Sequence, residues 1–523
     1  MMDKAETLRH YFGHSAFRPG QEAMVDALLA GRDALGIMPT GAGKSMCYQV
    51  PALMRPGIGL VVSPLISLMK DQVAALKSAG VPAAYINTSL TPRQIDLAME
   101  RAAQGQYKII YVAPERLETA SFRQFASRAP LSLLAVDEAH CVSQWGQDFR
   151  PTYLRIADFI NVLPHRPPVG AFTATATDKV RSDILRLLQL RDPVLSTTGF
   201  DRPNLYYQVI HPDRKFHALV NLLSGSARGS VIIYCNTRKT VEEVARKLQR
   251  LSFPIAMYHA GLPDEVRKAY QEDFQYDRLR VMVATNAFGM GIDKSNVRHV
   301  IHYNMPKSME AYYQEAGRAG RDGEKSTCTL LYNGSDIFTL KYMIQHSEGN
   351  PSLTLEEQAD IRALDRQRME DMIDYCVSPG CLRAKILHYF GQTDAPPCGA
   401  CGGCDRLRAG LRGTLEKQSF PKVPRARRPR PVSGGKQLPP TLIADTEMPA
   451  PTLFDALRRV RLDLSRTLRV PPYIICDDRT LESMAVLRPQ TPDEMLQVHG
   501  MGAVKVDKYG SDFLQVLRSW KMP

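Results

Sequence analysis

Ala34–Ser45, ALGIMPTGAGKS, runs from a short apolar segment into a glycine-rich loop, and the residues beyond it can form a helix. Strand, loop and helix in that order predict a phosphate cradle in an α/β sheet. Backbone N–H groups from Gly41 to Ser45 would face phosphate oxygens at a helix N-terminus, Lys44 would reach the terminal phosphate, and the Ser45 hydroxyl would ligate Mg²⁺. Thr40, Gly41 and Gly43 belong to the same cradle. Met38 stands where the strict pattern has glycine, so this loop alone does not decide the chemistry.

A second stretch supplies what the first lacks. Val136 closes an apolar run and is followed by Asp137-Glu138-Ala139-His140. An acid at the end of a buried strand can hold Mg²⁺, and the carboxylate beside it can orient the attacking water as a base. Charge developing on the γ-phosphate needs cations, and Gln314–Gly323, QEAGRAGRDG, offers Arg318 and Arg321. Those arginines fall in a second run of alternating strands and helices. The ATP site is therefore expected in a cleft between two domains, where nucleotide state controls closure.

The spacing of apolar runs predicts strands at Gly59–Ser63, Lys108–Ala113, Leu133–Val136 and Val169–Thr173, then at Ser230–Cys235, Pro254–Tyr258, Arg280–Ala284, His299–Tyr303 and Thr327–Leu331. With helical stretches between them, this is the rhythm of parallel sheets. A boundary falls in Thr197–Tyr207, TTGFDRPNLYY, where Gly and an Asp-Arg-Pro turn interrupt the pattern. The expected organisation is an ATP-binding α/β domain at 1–205, a second at 206–340, a helical metal module at 341–405, a basic proline-rich linker at 406–449 and an all-α domain at 450–523.

Composition agrees. A chain of 523 residues suits several domains, and 44% hydrophobic with 23% charged residues is ordinary for a folded protein. The net charge of +13 favours a polyanionic partner, either nucleic acid or an acidic membrane surface. No apolar run is long enough to span a membrane, and the N-terminus MMDKAETLRHYFG lacks an apolar signal core, so a cytoplasmic protein is expected. Asp405–Lys436 holds ten Lys or Arg against two acids, which suits a solvated tether or a phosphate-binding arm. Of ten cysteines, Cys381, Cys398, Cys401 and Cys404 cluster with CxxC spacing. Four such thiolates suit tetrahedral Zn²⁺ in a closed structural site, with an iron–sulfur cluster as the alternative. Cys376 reads as a buried neighbour.

With these elements placed, the chain up to about residue 405 closely resembles RecQ helicases. LRHYFGHSAFRPGQ (Leu8–Gln21), SPLISLMKDQV (Ser63–Val73), APERL (Ala113–Leu117), FTATAT (Phe172–Thr177), CVSQWGQDFRPTY (Cys141–Tyr153), IIYCNTRK (Ile232–Lys239) and ATNAFGMGIDKSNVRHVIHY (Ala284–Tyr303) carry the match. The resemblance implies two tandem RecA-like domains and an adenine-reading element in which Gln21 addresses the base, flanked by Arg18 and by His14, where the family commonly has Tyr. It implies a ribose contact at Asp293 and a loop that couples DNA binding to hydrolysis, with His140, Trp145, Phe149 and Arg150 as its parts. Trp145 and Phe149 would stack on an unpaired base, and Arg150 would sense nucleotide state. The cysteines match the family's zinc module, which implies Zn²⁺ beside ATP and Mg²⁺.

From Leu453 the chain resembles the helicase-and-RNase-D C-terminal (HRDC) domain, with HGMGAVK (His499–Lys505) as a turn between helices. A typical RecQ chain has a winged helix between the zinc module and this domain, and here the interval is too short for one. The family implies 3′-to-5′ movement on single-stranded DNA and unwinding of duplex or forked DNA in recombination and repair. It also implies single-strand-binding and recombination proteins as partners, a monomer and a place at the nucleoid, with no membrane partner. An RNA helicase, a translocase that separates strands weakly, and an annealing or binding module with a dead motor are the competing readings.

Overall fold

The structure, a computed structural model, describes residues 2–146, 148–225, 229–288, 294–346, 354–410, 452–468 and 470–520. Two all-parallel sheets dominate it. The first has seven strands in the order Ala83–Ile86, Ile109–Val112, Ile58–Val62, Leu131–Val136, Val169–Thr173, Ala34–Ile37 and Val194–Thr197. The second has six, in the order Ile255–Tyr258, Val281–Ala284, Ser230–Tyr234, Val297–His302, Ser326–Leu331 and Leu205–Ile210. Ile58–Val62, Ile109–Val112 and Ser230–Tyr234 are buried throughout, as continuous apolar runs must be when helices cover both faces of a parallel sheet. Each predicted strand is present.

Three further strands break the expected pattern. Ala83–Ile86 forms one edge of the first sheet, Val194–Thr197 alternates half-buried and exposed at its other edge, and Leu205–Ile210 forms an edge of the second. The Asp-Arg-Pro interruption is thus only the short link at 198–204 between two edge strands.

Beyond the second sheet, helices Leu382–Tyr389 and Gly402–Arg408 pack onto its edge strand, and Ser335–Gln345 and Leu355–Cys376 pack beside them. Met369, Met372, Leu382, Cys401 and Cys404 share one apolar core with Leu205 and Tyr207 of the edge strand. Phe390 stacks on Phe200 with ring centroids 4.6 Å apart, and Arg383 donates to the Leu205 carbonyl at 2.6 Å.

The terminal helices, Leu453–Leu468, Pro472–Ile475, Asp478–Leu487, Pro492–Met495 and Ala503–Ser519, close around a core of their own that includes Leu457, Leu481, Met484 and Phe513. Arg461 is buried there and pairs with Asp478 at 2.8 Å. This domain rests on both sheets' units through polar contacts. Tyr509 shares a 2.9 Å hydrogen bond with Ser78, Tyr473 donates to Asp71 at 3.2 Å, and Asp478 lies 3.3 Å from Arg298 of the second unit.

Candidate active site and coupling loop

Ala34–Ile37 delivers the chain to the loop at the carboxyl end of the first sheet, and helix Met46–Met54 leaves it. Gly41 and Gly43 adopt φ of 78° and 77°, a region that a side chain disfavours. A Cβ at Gly43 would also come within 2.8 Å of the Gln21 amide. Among the described residues, the N–H groups of Gly41, Gly43, Lys44 and Ser45 have no acceptor, and Ser45 makes no side-chain cap. An open nest of donors with a free hydroxyl fits a phosphate chain and its Mg²⁺. Lys44 donates to the Met38 carbonyl at 3.3 Å; burial lowers its pKa, and the carboxylates of Glu138 and Asp137 oppose that shift.

Leu131–Val136 ends at Asp137, whose Oδ1 accepts from the Glu138 N–H at 3.0 Å. Glu138 sits in the left-handed region at φ 49°, and its buried Oε2 makes no well-aligned hydrogen bond among the described residues, although His140 Nδ1 lies 3.3 Å away. A strained carboxylate at the end of a core strand with so loosely held an oxygen suits a ligand or water. His140 lies behind it, its Nδ1 2.9 Å from the Thr173 hydroxyl. Burial lowers its pKa, and the Glu138 carboxylate opposes that shift.

The second sheet's unit closes the site. Arg318 and Arg321 line the same cavity, of about 940 Å³, as Lys44, Asp137 and Glu138. The two units touch directly: the Thr40 hydroxyl donates to the Gly317 carbonyl at 3.2 Å, and a Cβ at Gly317 would meet that hydroxyl at 2.0 Å. Arg202, from the link between the sheets, is buried and donates to the carbonyls of Thr40 at 2.6 Å, Ala319 at 3.0 Å and Gly320 at 2.9 Å. It ties the phosphate loop to the arginine-bearing loop. In the sequence, between Asp201 and Pro203, it looks like part of a turn.

Gln21, Arg18 and His14 form the opposite wall of the cavity. Gln21 Nε2 donates to the Ala42 and Gly43 carbonyls at 2.9 Å, its Oε1 accepts from Arg18 N–H at 2.8 Å, and Arg18 donates to the Gly41 carbonyl. In this arrangement the Gln21 amide holds the phosphate loop. His14 packs against His499 of the terminal domain at 5.3 Å, and burial pushes its pKa down to about 4. Gly500 N–H donates to the Gly13 carbonyl at 3.1 Å. Arg479, His499 and Lys505 thereby line the cavity as well, a contribution that the sequence reading did not foresee. Asp293 lies outside the described residues.

Trp145, Phe149 and Arg150 stand apart from this cavity. Arg150 Nη1 donates to the Pro64 carbonyl at 2.9 Å, and Tyr153 donates to the Asp137 carbonyl at 2.9 Å, which joins the loop to both the SPLIS segment and the acidic pair. Phe149 is half-buried. Trp145 packs its ring against the core, and Lys179 Nζ lies 3.0 Å from the ring centroid.

The four clustered cysteines converge at the other end of the second unit, with their sulfur atoms within 4.8 Å of one another. Separations of 3.5 Å for Cys381–Cys398 and 3.8 Å for Cys401–Cys381 match the roughly 3.8 Å edge of a tetrahedron with Zn–S bonds of ~2.3 Å. Cys381 caps helix Leu382–Tyr389 and accepts from Ala384 N–H, so the fold orients its sulfur. Cys376 is buried outside the cluster, and burial pushes its thiol pKa well up.

Four families match the chain: the DEAD/DEAH box helicase over residues 18–183, the helicase conserved C-terminal domain over 214–323, RecQ zinc-binding over 334–405 and the HRDC domain over 450–517. An ATP-dependent DNA helicase RecQ of Bacillus subtilis is 36% identical, with 99% of each chain covered. The chain belongs to the RecQ family. A RecQ of Pasteurella multocida is 35% identical over 99% of this chain and 94% of its own. As a RecQ protein the chain is an ATP-dependent DNA helicase that uses Mg²⁺ and Zn²⁺. The alignment to the Bacillus RecQ spans 599 positions against 523 residues here, so at least 76 of those positions are gaps in this chain. Only residues 406–449 separate the matched zinc and HRDC regions, an interval below the roughly 50 residues that a further domain needs. The solved structure of Mss116p with single-stranded RNA and AMP-PNP has a TM-score of 0.57 at 15% identity, covering 74% of this chain and 89% of its own, a likeness of fold. No helix among the described residues is long and apolar enough to cross a membrane.

Proposed function

We propose that this RecQ chain moves 3′ to 5′ on single-stranded DNA and opens duplex or forked DNA with a motor that works without a winged helix. The observation that carries this reading is the cavity shared by Lys44, Asp137 and Glu138 from one sheet's unit and Arg318 and Arg321 from the other. Phosphoryl transfer there needs both units together, so hydrolysis is linked to their relative motion. Ser45 and Asp137 would hold Mg²⁺, which would supply neutralisation of the phosphate charge. Lys44 leaves the Met38 carbonyl for the terminal phosphate, Glu138 orients the attacking water, and Arg318 and Arg321 face the charge that develops. Thr40, Gly41 and Gly43 shape the cradle, Gln21, Arg18 and His14 receive the adenine, and Asp293 receives the ribose. Cys381, Cys398, Cys401 and Cys404 hold Zn²⁺ as a structural ion.

Trp145 and Phe149 stack on unpaired bases, and His140 and Arg150 carry that event to the acidic pair. Stacking is tolerant of sequence, which suits a motor. The protein acts as a cytoplasmic, nucleoid-associated monomer, with single-strand-binding and recombination proteins as partners. A translocase that separates strands weakly is the second reading, and the interval too short for a winged helix is what favours it.

The test is ATP hydrolysis measured beside strand displacement on a 3′-tailed duplex. Lys44→Ala should lower the DNA-stimulated rate by roughly 10²–10³-fold and abolish displacement. Stimulated hydrolysis with no displacement in the parent would establish the translocase instead.

A further inference from the structure

Trp145 is held in a way that its proposed role cannot use. A base stacks on an open indole face, yet the Lys179 ammonium lies 3.0 Å from the Trp145 ring centroid. The backbone is held too. Arg368 Nη2 donates to the Trp145 carbonyl at 2.5 Å, a charge-assisted bond, while the Trp145 N–H donates to Ser143 Oγ at 3.2 Å, which in turn donates to Asp183 at 2.7 Å.

The two cations come from informative places. Lys179 is exposed in the first turn of helix Asp178–Leu187, directly after FTATAT, whose Thr173 bonds His140. Arg368 belongs to helix Leu355–Cys376 of the zinc module and also lies 3.6 Å from Glu310. Glu310 is 6% exposed, sits in the helix Met309–Ala316 just before Arg318, and accepts from Tyr389 at 2.8 Å. One guanidinium therefore touches the coupling loop of the first unit and the helix that leads to the catalytic arginines of the second.

Movement of Trp145 must reach the acidic motif. Gly146 packs so closely that a Cβ there would fall 2.3 Å from the His140 carbonyl, and Arg150 N–H donates to the Cys141 carbonyl at 2.9 Å. Shifting the loop thus moves the chain that carries His140 and, through Tyr153, the Asp137 carbonyl.

We infer that Arg368 and Lys179 are positioning residues that hold the Trp145 loop in a resting arrangement, which single-stranded DNA must open before it stimulates hydrolysis. This rests on the reading of Trp145 as a base-stacking residue. Neither cation falls in a helicase motif; Lys179 occupies the indole face that stacking needs, and Arg368 holds the backbone that must move for that face to open. A resting state that excludes the ligand lowers apparent affinity by the fraction of open molecules, so weakening the hold should tighten DNA binding.

Trp145 and Trp520 are the chain's two tryptophans, so Trp520→Phe leaves Trp145 as the reporter. In that background, emission and ATP hydrolysis are followed as oligothymidine is added to the parent, Lys179→Ala, Arg368→Ala and Arg368→Lys. The two alanine variants should show, without DNA, the emission that oligothymidine produces in the parent, and a raised DNA-free rate. Their half-stimulating DNA concentration should fall by about tenfold, the scale of one lost cation contact, with the DNA-saturated rate within about twofold of the parent. Arg368→Lys should restore most of the parent's behaviour. Alanine variants whose DNA-free emission and rate match a DNA-responsive parent would overturn the hold. A parent whose Trp145 does not respond to oligothymidine would overturn the stacking role and the hold together. Lys179 is exposed, so its variant keeps the test open should Arg368→Ala fold poorly.

Discussion

The zinc module and the terminal domain are both small helical additions to the same motor, yet they are attached by different physics. The module's apolar residues run into the second sheet's core through Leu205, Tyr207, Phe200 and Phe390, so neither side can be dry without the other. The terminal domain completes its own core and meets the motor through hydroxyls, imidazoles and ion pairs. The difference teaches that one addition is part of the motor's fold, whereas the other is a separate body resting against the nucleotide cleft. Interfaces of the second kind are the ones that move.

The largest expected effect breaks the first attachment. Cys401→Ala removes a fully buried ligand from a site whose binding energy is on the order of 10 kcal/mol for structural zinc. Zinc content should be lost, and the motor's thermal midpoint should fall by more than about 10 °C. A midpoint close to the parent's would show that the module is not part of the motor's core.

Next comes Arg461→Ala, which removes the buried guanidinium's bonds to Asp478 at 2.8 Å and to the Cys476 carbonyl at 3.0 Å, while Asp478 keeps Arg298 of the second unit at 3.3 Å. Breaking a fully buried pair costs about 3–5 kcal/mol, so a loss below that is expected, mainly in the terminal domain's unfolding. Zinc content and ATP hydrolysis should stay at parental levels, and a matching loss in the motor would mean that the two bodies fold as one.

Acidification sharpens the contrast. His14 has its pKa pushed down to about 4 and His499 has its lowered, in each case mainly by burial, among Arg18, Arg479, Lys505 and Asp477. Released from the seat, each ring would return toward ~6.5 and bind more protons than the docked form. The seat should therefore be intact above pH 6.5 and weaken as pH falls toward 4. Protease accessibility of the terminal domain should rise over that window, and a flat profile would remove the histidines from the docking energy.

The smallest effect is Tyr509→Phe, which removes one hydrogen bond to Ser78 and should weaken docking by about 0.5–1.5 kcal/mol without changing either body's midpoint. Cross-linking between the two bodies would register it.

Much of this was legible in the sequence because its signals are local. Buried parallel strands read as apolar runs, and a phosphate loop has glycines at fixed spacing. Ala83–Ile86 escaped notice because AAYI is short and carries no period, and Val194–Thr197 and Leu205–Ile210 because edge strands flanking Asp-Arg-Pro look like turn sequence. Arg202 and Arg368 were invisible for a different reason. Their partners are carbonyls of distant residues, and a carbonyl leaves no mark on side-chain identity. The seat of HGMGAVK on the Gly13 loop is equally non-local, since either segment alone suggests a different ligand.

The two tryptophans fall one in each body, Trp145 in the motor and Trp520 against the terminal core. Denaturant unfolding followed by Trp145 emission in Trp520→Phe, by Trp520 emission in Trp145→Phe, and by zinc release in both tests the central contrast most directly. Trp145 and zinc should change together, with Trp520 following a transition of its own. Zinc release that tracks Trp520 instead, or a single transition for all three, would contradict the account.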